Sequence, residues 1–223
     1  PELAATGIHS YISGRFPGVP CVGASMIGGW STPGPVEKGV VALSLSDAEV
    51  GESFVSFAEG VKSDPVAATR AVISDMKRKL AGRKLHPAEY VGIILFDGLC
   101  LGEEIMRELA LEEGLAIPLV GGAAADELEF KETFVASGQS LSRDGVVLLV
   151  LRMKVPFYYD HYVHYQPTRT SVLVTRAEPS RRVVWEIDGQ PAAPYYATLL
   201  GLSGVQAINH GHFSKNPLGV CIG

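Results

Sequence analysis

Tyr90-Val91-Gly92-Ile93-Ile94-Leu95-Phe96-Asp97-Gly98 is the stretch on which the fold turns. A continuous apolar run of strand length that ends in Asp-Gly predicts a buried strand leaving through a turn. Gly102 to Glu113 follows, with Ile105 and Leu109 on one side and Glu112 and Glu113 on another, which predicts a helix. Pro118-Leu119-Val120-Gly121-Gly122-Ala123 then reads as a second strand.

Working outward, the same order of elements occurs twice. Pro20-Cys21-Val22-Gly23-Ala24-Ser25 shares Pro-x-Val-Gly-small-small with Pro118 to Ala123, 98 positions later. Lys38-Gly39-Val40-Val41-Ala42-Leu43-Ser44-Leu45 matches Asp144-Gly145-Val146-Val147-Leu148-Leu149-Val150-Leu151, 106 positions later, so the second copy carries a longer hairpin between its strands. Leu3 to Ser13 supplies the first copy's helix. The counterpart of Tyr90 to Phe96 falls before residue 1, and the expectation is a first strand missing from this chain. The fold class expected is α/β, with mixed sheets built from two strand-helix-strand-hairpin repeats and helices on the outer faces.

Between the copies, Ser63-Asp64-Pro65 gives a cap and a first-turn proline, and Val66, Thr69, Ile73, Met76 and Leu80 recur at helical spacing. Lys77-Arg78-Lys79 suits the negative pole of that helix as a solvated end. After the second copy, Arg169 to Thr175 and Arg182 to Ile187 form a predicted hairpin across Glu178-Pro179-Ser180. Ala192 to Leu200 reads as a short helix stopped by Gly201.

Composition bounds the function. Of 223 residues, 47% are hydrophobic and 19% charged, so the chain can bury a core and extensive disorder is excluded. A net charge of -5 argues against a nucleic-acid partner, since counterion release needs a basic face. The longest apolar stretches, Val91 to Phe96 and Val146 to Leu151, are too short to span a bilayer, which leaves no membrane partner. Three cysteines, Cys21, Cys100 and Cys221, without close pairing point to a reducing compartment, the cytoplasm by default.

Several blocks resemble the FIST family. They are Phe96-Asp97-Gly98, Ile117 to Asp126 with its Gly-Gly-x-Ala-x-Asp core, Phe134 to Gly138, Asp144 to Val147, Val174-Thr175-Arg176, and Val184 to Ala192 with Asp-Gly-x-Pro-Ala. The resemblance covers most of residues 15 to 200. It implies an intracellular sensory domain of signal transduction at residues 1–190 and the beginning of a truncated C-terminal domain at 191–223. It also implies a small ligand, amino-acid-like, and a signalling output domain or protein as partners; some relatives resemble haem-based nitric oxide sensors. The first-copy motif departs from the family, because Gly23 to Gly29 lacks its Cys, Thr and Glu, and Thr168 stands where the family tends to have Gly.

Candidate site residues follow from the two glycine-rich turns. Ser25 and Gly28 in the first, and Gly121, Gly122 and Asp126 in the second, are expected to border one ligand cleft. Small residues let a ligand approach backbone N–H groups, and Asp126 offers a charge for a cationic group. Neither turn fits a dinucleotide fingerprint or a P-loop. The enzymatic alternatives are a hydrolase using Ser25, which lacks the glycine two residues on that a nucleophile elbow requires, and a thiol enzyme using Cys21 or Cys100. No catalytic set and no metal site is expected. For haem, an alternative rather than an expected cofactor, His210-Gly211-His212 is a better candidate than His161 and His164, provided it is extended. The aromatic residues Phe157, Tyr158, Tyr159, Tyr162 and Tyr165 read as packing, and Met76 and Met106 as core.

Overall fold

A computed structural model describes residues 6–160 and 165–219. The chain forms two compact units, Pro1–Asp160 and His161–Gly223. The expected α/β class with mixed sheets is what the structure shows.

The first unit is organised by a four-stranded sheet. Its strands are β4 (Val50–Glu59), β5 (Tyr90–Phe96), β6 (Leu119–Ala123) and β9 (Gly145–Met153), in the order β4-β9-β5-β6. β9 is antiparallel to both neighbours, whereas β5 and β6 are parallel and joined by helix α3 (Gly102–Ala110). Every residue of β9 from Gly145 to Leu151 is buried, which is why the run reads as apolar throughout rather than alternating. Val146, Leu148 and Val150 face α2 (Pro65–Lys79) and α3. Val147, Leu149 and Leu151 face the other way, Val147 toward a small sheet of β1 (Val22–Ala24), β7 (Val135–Ser137) and β8 (Ser140–Ser142). The helices therefore cover the outer face of the main sheet, and the small sheet covers part of its inner face.

Helix α2 begins as its sequence predicts. The Asp64 side chain accepts from the Ala67 N–H at 2.8 Å, Pro65 opens the first turn, and Ala68, Thr69, Val72, Ile73 and Met76 are buried. Its basic end is anchored: Lys77 pairs with Glu112 and Lys79 with Asp75. Asp75 also accepts from the buried Ser56 hydroxyl of β4 at 2.6 Å, and Lys79, then Ser56, hold its carboxyl down to about 2.

In the first copy, α1 (Ile8–Arg15) precedes β1, and a hairpin of β2 (Gly29–Ser31) and β3 (Gly34–Val36) follows. That hairpin lies 106 positions before β7 and β8, with the same strand and turn lengths. The correspondence then stops. Lys38 to Leu45, expected as a strand like β9, is exposed and pairs with no described strand. β4 was not singled out by alternation, since Glu52, Ser53 and Ser56 dilute its apolar pattern.

Three further expectations change. Met106 is 38% exposed rather than core, because α3 buries only Ile105, Glu108 and Leu109. Tyr158 and Tyr159 are exposed, since among the described residues no strand follows β9 before Asp160, and Phe157 packs on the sheet; Tyr162 lies outside the described residues. The predicted strand from Arg169 begins only at Val174.

In the second unit, β10 (Val174–Glu178) and β11 (Val183–Ile187) form the expected antiparallel hairpin, and β12 (Gln190–Pro191) pairs with β11. Asp188 shapes the exit with positive φ, its carboxylate accepting from the Leu173 N–H and the Tyr195 hydroxyl. Helix α4 (Ala192–Leu199) buries Tyr196 and Ala197, and the Tyr196 ring stacks on Phe213 of α5 (His210–Lys215) at 5.2 Å.

Two adjacent glycines of β6 should behave oppositely. A Cβ on Gly121 would lie 1.9 Å from the Ile94 carbonyl oxygen at a φ of 138°, whereas one on Gly122 would meet nothing within 4 Å. Gly121→Ala should cost at least about 1–3 kcal/mol, and Gly122→Ala less than about 0.5 kcal/mol, as measured by urea unfolding.

Candidate functional site

The two turns named from sequence do meet, through the backbone. The Ala125 N–H donates to the Ser25 carbonyl at 2.8 Å, while Ser25 N–H donates to the Phe134 carbonyl and Ser25 Oγ accepts from Phe134 N–H, both at 2.9 Å. Ser25 thus ties the end of β1 to both ends of the loop that joins β6 to β7. Its hydroxyl oxygen is engaged as an acceptor in the fold.

Asp126 organises the interior of that loop. It is 6% exposed, and its carboxylate accepts from the N–H groups of Phe130 at 3.0 Å, Lys131 at 2.7 Å and Glu132 at 3.2 Å. The Lys131 N–H above all, with those of Phe130 and Glu132, holds its carboxyl below the ordinary aspartate value. The loop so formed places Leu128 and Phe130 at positive φ, 64° and 54°, with both side chains exposed. Two apolar residues in a conformation that side chains disfavour mark a loop held against strain. Neither residue is the Gly, Asn or Asp that ordinarily marks such a conformation in a sequence.

Gly122 is half-buried on β6 with open space where a side chain would be, whereas Gly121 is a packing position against β5. Gly28 sits in an exposed turn before β2, and no hydrogen bond described joins it to the other four residues. Ser25 and Asp126 therefore share one loop system, with Gly122 on the strand that enters it.

Asp97, at the end of β5, is fully buried. Its carboxylate accepts from Leu99 N–H and the Thr133 hydroxyl, and lies 3.3 Å from the Lys62 ammonium. Thr133 in turn accepts from Gly98 N–H. The ends of β5 and of the loop are thus locked together by a buried, paired carboxylate.

A recess of about 670 Å³ opens where the parallel strands β5 and β6 end, lined by Phe96, Gly98, Cys100, Met106, Arg107 and Ala123 among others. Successive strand residues face opposite sides, so Gly122 faces away from the recess that Ala123 lines. Cys100 in this recess is a poor nucleophile: burial first, then the Asp97 charge, pushes its thiol up to about 11.

The histidine pair is not extended. Residues 210–215 are helical, so the extended backbone that the pair would need to share a strand face is absent there. His212 Nδ1 and the Asn209 side chain make reciprocal capping bonds; the His210 side chain, like His161 and His164, lies outside the described residues. Among the described residues no group of three or more His, Cys, Asp or Glu is placed to hold a metal, and no helix is long and apolar enough to cross a membrane.

A mixed α/β module whose strand ends converge on one strained loop is the class that fold and site define. Residues 1–190 match the model of the family described as FIST N domain, and the chain belongs to that family of sensory domains, which serve signal transduction by binding small ligands. An uncharacterized protein of Methanocaldococcus jannaschii is 34% identical over 112 residues, which is 50% of this chain and 21% of that protein. The match thus spans about a fifth of the relative's length.

The Asp126 loop should carry a pH signature. A folded value below the unfolded one means that the carboxylate stabilises the loop above the ordinary aspartate range and loses that effect as pH falls through the folded value. Amide resonances of Phe130, Lys131 and Glu132 should shift together at that lower pH in an NMR titration. In Asp126→Asn, which keeps one acceptor oxygen, that transition should disappear and exchange of the Lys131 and Glu132 amides should speed up.

Proposed function

We propose that the domain senses a small polar, amino-acid-like ligand seated at the end of β6, between Ser25, Gly122 and the loop organised by Asp126, and passes the change to a signalling partner. The observation that carries this is the Ala125 to Ser25 hydrogen bond. It brings the two repeat-related turns together beside Gly122, where the backbone is open to approach.

Each residue has a part in this proposal. Gly122 leaves room for the ligand's backbone-like end. Ser25 and Asp126 hold the loop, Asp126 acting through the N–H groups it binds, and the exposed Leu128 and Phe130 supply an apolar cover. Gly121 and Gly28 border the seat, the first by fixing the path of β6. A loop kept under strain is suited to a sensor, since a ligand that favours a second arrangement shifts the population between the two.

The domain is proposed to work by binding, without resident haem or catalysis. The raised thiol of Cys100 and the acceptor role of the Ser25 hydroxyl are the observations against thiol and serine chemistry. The rival seat is the recess lined by Cys100 and Met106, which its size and its place at the ends of parallel strands favour.

Two variants separate the seats. The standard amino acids would be screened by calorimetry, and the one that binds would be titrated into Gly122→Val and Met106→Trp. Gly122→Val should retain the wild-type fold and lose at least about tenfold in affinity, about 1.4 kcal/mol; Met106→Trp should bind as wild type. The opposite pattern would place the ligand in the recess, and no binding by any of them would refute the amino-acid-like class.

A further inference from the structure

Lys62 lies in the turn between β4 and α2, and its ammonium reaches a carboxylate wholly removed from solvent. The Asp97 side chain is 0% exposed and that of Lys62 37%, with 3.3 Å between the charged atoms. Among the described residues, no other cation pairs with Asp97. The turn itself is anchored, since Val61 is buried and the Lys62 N–H donates to Asp144 Oδ1 at 2.6 Å. The side chain therefore approaches Asp97 from a fixed base.

Both ends of the Asp126 loop meet at Asp97. At the entry, the Ala124 N–H donates to the Phe96 carbonyl at 2.7 Å, and a Cβ on Gly98 would lie 1.8 Å from the Ala124 carbonyl oxygen. At the exit, the buried Thr133 hydroxyl donates at 3.0 Å to Asp97 Oδ2, the oxygen that faces Lys62. Thr133 follows Glu132, whose N–H Asp126 holds. A carboxylate so buried keeps its charge only beside a counter-charge. Without the ammonium it takes up a proton or admits water, and either change weakens the Thr133 bond. The strain at Leu128 and Phe130 then favours release of the exit.

We infer that Lys62 is a positioning residue for the Asp126 loop: acting through Asp97 and Thr133 rather than on the ligand, its charge holds the loop in the arrangement that receives the ligand. The part that concerns the ligand rests on the seat proposed above, whereas the hold on the loop does not. An ion pair that served overall stability alone would protect the whole unit evenly. This one acts on a single loop, because its buried partner sits where that loop enters and leaves.

Amide hydrogen exchange of the ligand-free protein tests this through a double-mutant cycle. In Lys62→Met, the amides of Phe130, Lys131 and Glu132 should exchange at least about tenfold faster than in wild type, while those of Val146 to Val150 in β9 keep their wild-type rates. Lys62→Arg, which retains the charge, should exchange as wild type. In an Asp97→Asn background Lys62→Met should add no further acceleration, because no buried charge is left to neutralise. Unchanged loop exchange in Lys62→Met, equal acceleration throughout β9 or loss of the fold would overturn the inference, and so would acceleration that persists in full beside Asp97→Asn. The amino acid found by calorimetry should bind Lys62→Met at least about fivefold more weakly; unchanged affinity with a loosened loop would also overturn it. A wild type that binds no amino acid would refute the seat alone, and the exchange result would still decide the role of Lys62.

Discussion

Burial of β9 on both faces is the constraint from which the rest of the first unit follows. A strand with Val146 to Leu151 entirely covered needs hydrogen-bonding neighbours on both edges and apolar layers above and below. β4 and β5 supply the edges, α2 and α3 one layer, and the strands around Val135 part of the other. Each large side chain so buried contributes about 1.5–3 kcal/mol, so removing any of these partners leaves a costly surface. The same demand makes the exposed Val40–Leu45 informative: it is a β9-like sequence without β9's surroundings.

Polar groups then fix what the apolar layers leave free. Asp97 is buried at the end of β5, and its pairing with Lys62, Thr133 and Leu99 joins that end to the loop after β6. Ser25 ties the end of β1 to the same loop, and Asp126 folds its interior. These contacts are local and directional, so they hold a loop containing Leu128 and Phe130 at positive φ that packing alone would release. Strand ends, buried carboxylate and strained loop together form one connected element, and it is this element that the proposed ligand would bias.

Much of this was legible in the sequence where a pattern has one physical cause. β5 and β9 announce themselves because burial on both faces demands continuous apolar runs. α2 does so through Asp64-Pro65 and its helical spacing, and the β10–β11 hairpin through alternating residues around Glu178-Pro179-Ser180. β4 was hidden because its outward-facing polar residues and Ser56, which bonds Asp75, break the alternation. Of the site, both glycine-rich turns stood out by composition, and the Ala125 to Ser25 bond joins them. The three N–H groups gathered by Asp126 were not, because loop hydrogen bonds leave no period. Met106 departs from its expected place in the core because composition does not say which side of a helix faces out, and residues 210–215 are too short a run to show a period before they coil.

The proposed ligand seat lies where the turn of Ser25 meets the loop of Asp126. Mapping backbone amide shifts of the labelled protein as the best-binding amino acid is added tests that most directly. Shifts concentrated at Ser25, Gly122, Ala125 and residues 127–134 are the predicted result. Shifts confined to Cys100, Gly102, Met106 and Arg107 in the recess, or to the second unit, would contradict it.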